Sequence, residues 1–128
     1  MQTAIGILRR WCCPQRAGTA ELMSVRAGIL LSFQRALWDM VTPSLRAVVV
    51  RPEGPVIRAR FVYDLVPTEY EREIVSEVET YVISDFDASF DVHFEAEYLP
   101  MEIVRVAAPD EWWVYRRLEP DMLSEETE

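Results

Sequence analysis

A strict alternation of apolar and polar residues near the middle of the second half most limits the folds open to this chain. The alternation covers Phe90, Asp91, Val92, His93, Phe94, Glu95, Ala96, Glu97 and Tyr98. A period of two turns the apolar set toward a core and the polar set toward the opposite face of a β-sheet. Residues 89–99 are therefore predicted to form a strand of a sheet that is covered on one face and partly open on the other.

Two earlier runs are also typical of β-structure. Leu45–Arg51 and Val56–Tyr63 are rich in β-branched and aromatic residues, and the Pro and Gly residues of 52–55 lie between them. Such a pattern predicts a hairpin. Trp112–Leu118 is predicted as a further strand, whereas residues 100–111 are compatible with either a strand or a loop.

Two segments have helical spacing. Ser24 is predicted to cap a helix that ends near Val41, just before Pro43. Thr68 and Glu71 match a capping box, which predicts a second helix to about Ser84. Its predicted buried stripe is Tyr70, Ile74, Val78, Tyr81 and Val82.

The order of these elements predicts an α+β fold: an N-terminal helix, a β-hairpin, a second helix and then one or two further strands. We expect a mostly antiparallel sheet with both helices on one face. Residues 23–118 are predicted to form a single domain. Residues 1–22, which lack a sustained period, are predicted to be a disordered or mis-annotated leader, and residues 119–128 an acidic disordered tail.

The charge is divided unequally along the chain. Residues 1–60 hold nine Arg against three carboxylates, 9 − 3 = +6, and residues 61–128 hold four Arg against nineteen, 4 − 19 = −15. This distribution disfavours nucleic acid and anionic membrane as partners, and it favours a basic protein. The two cysteines are adjacent and no apolar run approaches a bilayer-spanning length, so we expect a cytoplasmic protein.

The candidate partner-binding residues follow from this charge. They are the acids of the second helix and the residues after it, together with one tryptophan of the last strand: Glu69, Glu73, Glu77, Glu79, Asp85, Asp87 and Trp113. Trp112 and Trp113 must point to opposite faces of a strand, so one of them needs a cover outside the core. We predict no catalytic residue, no cofactor and no bound metal.

Two alternatives of different classes remain open at this point. His93, Glu95 and Glu97 share a strand face and could serve a small metal-dependent or acid–base enzyme. The competing interpretation is an ion-pair ladder of the acids with arginines of the hairpin: Arg46, Arg58 and Arg60. The second alternative is a homodimeric structural protein that uses an exposed β edge or Trp113.

Three segments carry a resemblance to known proteins. They read LLSFQRALWDMVTPSLRAVVV at residues 30–50, SEVETYVISDF at 76–86 and VYRR at 114–117. In these the chain resembles a group of small, acidic bacterial proteins without an assigned catalytic activity, some of which resemble immunity proteins of bacterial toxin systems. The resemblance implies a non-catalytic module that binds a toxin domain, and it identifies no functional residue. The acidic second half of the chain predicts that this toxin domain is basic.

Overall fold

The computed structural model describes residues 19–119, and their side chains from residue 25 onward. This part of the chain forms two helices and four strands. In chain order they are α1 (Thr19–Ala36), β1 (Leu45–Glu53), β2 (Val56–Tyr63), α2 (Glu69–Ile83), β3 (Asp91–Tyr98) and β4 (Trp112–Arg116). The order confirms the predicted α+β fold, including the fourth strand.

The four strands form one sheet in the order β3-β2-β1-β4. β1 is antiparallel to both β2 and β4, whereas β2 and β3 are parallel. A parallel pair needs a crossover connection, and α2 supplies it between β2 and β3. The sheet is therefore mostly antiparallel, as predicted, with one parallel pair.

Both helices pack on the same face of the sheet. The core includes Phe33 of α1, Val78 of α2 and Phe61 of β2, all fully buried. The ring of Phe94 in β3 stacks on that of Phe33 with centroids 5.2 Å apart. The alternation that predicted β3 is thus confirmed for the side chains that reach the core: Phe90, Val92, Phe94 and Ala96.

The buried stripe of α2 is narrower than we predicted. Ile74, Val78 and Val82 are buried, but Tyr70 is 66% exposed and Tyr81 is 51% exposed. At 3.6 residues per turn both tyrosines lie at the margin of the apolar arc, where the sheet no longer covers them. The stripe prediction was wrong for these two residues.

The first helix starts and ends earlier than its sequence pattern predicted. α1 begins at Thr19, inside the segment predicted to be a leader, and ends at Ala36; residues 1–18 lie outside the described part. A turn over residues 37–40 follows, with Asp39 at a φ of +63°. This left-handed residue ends the helix before Pro43 is reached. Within residues 19–119 neither helix combines the length and apolarity needed to cross a bilayer.

The second face of the sheet is partly covered by the chain between β3 and β4. Residues 99–111 form a loop, not a strand, and Arg105 of this loop is buried. A bulge between Leu45 and Ala47 leaves Arg46 on this side, where its Nη1 donates to three loop carbonyls at 3.0 Å: Leu99, Pro100 and Ile103. Glu119, the first residue of the predicted tail, is also buried here, and residues 120–128 lie outside the described part.

Candidate functional site

Three glutamates form a row on the exposed side of α2. Glu69, Glu73 and Glu77 are four residues apart, so each lies about 6 Å along the helix axis from the next. All three are exposed, and none has a hydrogen bond or ion pair with another described residue. We call Glu69, Glu73 and Glu77 the acid row.

The acid row does not serve the stability of the helix. Like charges four residues apart cost about 0.2–0.5 kcal/mol per pair. Arg72 is the one cation of α2, and it forms no ion pair with the row. Only Glu69 lies in the first turn, where the helix dipole favours a carboxylate.

Glu71, by contrast, belongs to the internal structure. The predicted capping box is confirmed: Thr68 Oγ1 accepts from the Glu71 N–H at 3.1 Å, and Glu71 Oε1 accepts from the Thr68 N–H at 3.0 Å. Oε2 accepts from Thr42 and from Ser44, which ties α2 to the start of β1. Burial alone would raise the pKa of Glu71, but these hydrogen bonds, from Ser44 first, together hold it below its usual value.

Glu79 and Asp87 also accept hydrogen bonds within the fold. The Phe94 N–H of edge strand β3 donates to Glu79 Oε2 at 2.9 Å, so this side chain blocks one donor of the open sheet edge. Asp87 Oδ1 accepts from the backbone N–H of Ser89 at 3.0 Å in the turn before β3. Neither residue is part of the acid row, and their role in partner binding stays a prediction.

Asp85 lies between the two helices. Its side chain is only 5% exposed, and its Oδ2 accepts from Ser32 Oγ at 2.7 Å and from Arg35 Nη2 at 3.0 Å. Its other oxygen, Oδ1, is buried and has no hydrogen-bond partner among the described residues. A buried carboxylate oxygen without a partner is uncommon in native proteins.

A groove of about 380 Å³ opens beside Asp85, and we call it the α1–α2 groove. Its walls come from the end of α1, the turn that follows it and the end of α2: Ser32, Arg35, Ala36, Trp38, Asp39, Met40, Tyr81 and Asp85. Tyr81 is four residues beyond Glu77 and lies on the same side of α2, but no residue of the acid row lines the groove. Trp38 stands on the turn with 70% of its surface exposed.

Trp113 lies on the other side of the sheet. It pairs with Val49 in the β1–β4 ladder, while its neighbour Trp112 packs against the helix-side core. The opposite orientations predicted for the two indoles are therefore present. The Trp113 ring is covered by Arg116, whose guanidinium carbon is 4.3 Å from the ring centroid.

His93, Glu95 and Glu97, the candidate metal ligands, lie along β3. Within residues 25–119 no three His, Cys, Asp or Glu side chains come together as metal ligands. Glu97 instead binds Arg60 Nη1 at 3.0 Å, and His93 Nε2 lies 3.3 Å from Asp91. The described residues therefore do not support the hypothesis of a metal-dependent enzyme at this strand face.

The predicted ion-pair ladder forms only in part. Arg60 pairs with Glu97 as expected, and it also binds Glu111 at 2.8 Å. The hydrogen bond from Arg60 is the main reason that the pKa of Glu111 falls to about 2. Arg58 pairs with Glu53 in its own hairpin, and Arg46 turns away to Glu119.

The sequence patterns did not predict the cluster around Glu119. Glu119 binds Arg46, Arg105 and Arg117, and Arg117 also reaches Asp64 at 3.0 Å. Burial raises the pKa of Glu119, but the three guanidinium groups, Arg46 first, together lower it below its usual value. One signal was available: a charged residue inside the apolar run of β1 indicates a buried partner.

Comparisons with known proteins agree with the resemblance seen in the sequence. The family model described as MafI2 immunity protein matches residues 26–119. This match covers both helices and all four strands apart from the start of α1, and the chain therefore belongs to that family. A search of the curated proteins finds no match.

Proposed function

We propose that this member of the MafI2 immunity protein family neutralises a basic protein toxin by binding it through the acid row of α2. Membership of an immunity protein family supports a toxin partner and a non-catalytic role. The observation that carries the choice of surface is the exposure of Glu69, Glu73 and Glu77 without partners.

The surroundings of the acid row support this choice. Most other carboxylates of the described part are engaged in the fold, among them Glu71 in a cap, Glu79 at a sheet edge and Glu119 in a buried cluster. The acid row thus concentrates free negative charge on one rigid helix. Toxins that act on nucleic acids carry positive charge to bind phosphates, and an acidic surface can steer toward such a site and cover it.

A purely solubilising role is the competing explanation. Dispersed carboxylates keep a protein soluble without any partner. Solubility does not require a row of like charges at helical spacing, because the same number of charges elsewhere would avoid the repulsion within α2. The two explanations predict different toxin binding when the charges of the acid row are removed.

The experiment pairs the chain with toxins encoded beside it in its genome and measures rescue of cell growth. The test variant is E69Q/E73Q/E77Q, which removes three charges and keeps side-chain size. The matched control is E95Q/E102Q/D110N, which removes three exposed carboxylates that have no partner among the described residues and lie outside α2.

We expect the wild type and the control variant to rescue growth. The acid-row variant should fail to rescue growth, because its affinity for the toxin should fall at least about 100-fold when several interface charges are lost. Equal rescue by both triple variants would reject the acid row as the binding surface. Failure of the wild type to neutralise every neighbouring toxin would reject the proposed function itself.

A further inference from the structure

We infer that two copies of this chain associate through the loop of residues 101–106, which turns its apolar side chains outward. We call Met101, Ile103, Val104 and Val106 the apolar loop. These residues lie on the second face of the sheet, on the side opposite α1 and α2. A dimer of this kind goes beyond the proposed function, because it forms without a toxin.

The burial pattern of this loop is the reverse of the usual one. Val104 and Val106 are 55% and 68% exposed, whereas Arg105 between them is only 3% exposed. Met101 and Ile103 are exposed as well. Single exposed apolar residues are ordinary, but four of them within six positions form a patch that monomeric proteins seldom leave in contact with water.

The second face of the sheet is filled beneath this loop by other side chains. Ala47, Val49 and Val62 are buried there, apart from the core that the helices cover. The buried ion pair of Arg105 and Glu119 lies on the same face. Within residues 25–119 no segment covers the apolar loop in turn, since all four of its side chains stay exposed.

Two arginines fix the backbone of the loop to the sheet. Nη1 of Arg46 donates to the Ile103 carbonyl at 3.0 Å, and Nη2 of Arg60 donates to the Val106 carbonyl at 2.7 Å. A surface that is held in place before association loses little conformational entropy when a partner binds. The apolar loop is therefore presented as a preformed patch.

The charge of this patch favours a second copy as its partner. Glu102 is the one exposed charged residue of 101–106, whereas the whole chain carries a formal net charge of −9. Two copies repel each other over most of their surface, and they repel least where nearly neutral patches meet. An apolar patch is also complementary to its own copy, as a two-fold interface requires.

The proposed toxin surface lies on the other side of the molecule. The acid row belongs to α2, and both helices pack on the first face of the sheet, whereas the apolar loop lies over the second. A toxin bound to the acid row therefore leaves the apolar loop uncovered. The preference for a second copy over a toxin at this loop thus rests on the proposed function.

The size of the patch is consistent with a small dimer interface. At roughly 100 Å² for each side chain, the apolar loop offers on the order of 400 Å² of apolar surface. A standard interface buries about 800 Å² on each partner, a little over half of it apolar. The apolar loop and a polar rim reach about this size, so we expect a Kd in about the micromolar range.

The direct test is sedimentation equilibrium of the purified full chain between about 5 and 200 µM, without a toxin. The test variant is Val104→Glu, which places one carboxylate from each copy in the interface. The matched control is Leu31→Glu, which adds the same charge at an exposed apolar position of α1. We expect a dimer whose Kd rises at least about tenfold in Val104→Glu and less than about twofold in Leu31→Glu.

A second variant and a change of salt separate apolar contact from charge. V104S/V106S removes apolar surface without adding charge, and it should raise the Kd about tenfold. Circular dichroism checks the fold of every variant. Raising the salt concentration from about 0.05 to 0.5 M should lower the Kd of the wild type about twofold or more, because screening weakens the repulsion between two acidic copies.

A wild type that stays monomeric at about 200 µM would overturn the inference. Equal weakening by Val104→Glu and Leu31→Glu would do so too, since general charge repulsion would then explain both. A dimer that dissociates as salt is raised would point to a charged interface instead. Loss of toxin neutralisation in Val104→Glu together with a monomeric wild type would make the apolar loop a toxin surface and reject the dimer.

The growth-rescue assay keeps this inference separate from the proposed function. If the wild type dimerises through the apolar loop but neutralises no toxin, the proposed function fails and the dimer stands. If the wild type is monomeric and neutralises its toxin, and Val104→Glu does so equally well, the dimer fails and the proposed function survives.

Discussion

Arg46 and Glu119, 73 residues apart in the chain, form a buried ion pair on the second face of the sheet. Nη2 of Arg46 lies 2.8 Å from Oε1 of Glu119, and the two side chains are only 1% and 2% exposed. Nε of Arg46 adds a further hydrogen bond to Oε2 at 3.0 Å. Through this pair Glu119, which follows the end of β4, is fixed to β1.

Removing Glu119 should therefore destabilise the domain strongly. Glu119→Ala leaves Arg46 and Arg105 buried around a missing carboxylate, which costs about 3–5 kcal/mol of unfolding free energy. Urea denaturation measures the change. Glu102→Ala, at an exposed loop position, serves as the control and should change stability by less than about 0.5 kcal/mol. A loss of under 1 kcal/mol in Glu119→Ala would mean that the buried pair is not formed in solution.

Stability should fall in acid because of three carboxylates. The pKa values of Glu71, Glu111 and Glu119 are lowered in the fold, that of Glu111 to about 2. A lowered pKa contributes stability that is complete above the unfolded value of about 4.3 and is lost as the pH falls through the folded value. The unfolding free energy should thus be level from about pH 7 to 5 and decline from there toward about pH 2.

The variant E111Q provides the internal check on this pH dependence. Since its amide does not titrate, its unfolding free energy should decline less steeply in acid than that of the wild type, although it starts lower at neutral pH because the bond to Arg60 is weakened. Parallel pH curves for the two proteins would show that Glu111 keeps an ordinary pKa.

Tyr63→Phe should make the protein more stable. The Tyr63 ring is fully buried in the core, but its hydroxyl group has no hydrogen-bond partner among the described residues. Burial, with a contribution from the charge of Glu71, raises the pKa of this hydroxyl above its usual value. Removing an unsatisfied buried hydroxyl should raise the unfolding free energy by about 1 kcal/mol. A decrease would indicate that the hydroxyl has a partner in solution.

The turn after α1 should prefer glycine to alanine at position 39. Asp39 adopts a φ of +63°, which glycine reaches without the steric cost that any Cβ brings. Asp39→Gly should be about 1 kcal/mol more stable than Asp39→Ala in denaturant unfolding. Equal stability of the two variants would mean that the turn relaxes to an ordinary φ.

Toxin association should depend on salt through the acid row. In stopped-flow measurements the wild-type association rate should fall about tenfold or more when the salt concentration rises from about 0.05 to 0.5 M, because screening shortens the range of attraction. The rate of E69Q/E73Q/E77Q should vary much less. The control variant E95Q/E102Q/D110N should behave as the wild type does, and equal salt dependence of all three proteins would remove the steering role.

The local elements of this protein follow from short-range patterns in its sequence. The alternation of β3, the hairpin and the capping box of Thr68 and Glu71 each depend on residues within a few positions of one another, so pattern and propensity predicted them. The exposure of Glu69, Glu73 and Glu77 followed in the same way, because helical spacing alone turns them from the core.

The partners of the buried charged groups, by contrast, depend on the tertiary structure, because they come from distant parts of the chain. Asp85 looked like a free acid after α2, yet Ser32 and Arg35, 53 and 50 residues earlier, bury it beside a groove. Arg46 looked like a member of an exposed ladder, yet it lies inside a cluster with Glu119. The desolvation and pairing of such groups depend on which distant segments meet, and no local pattern carries that information.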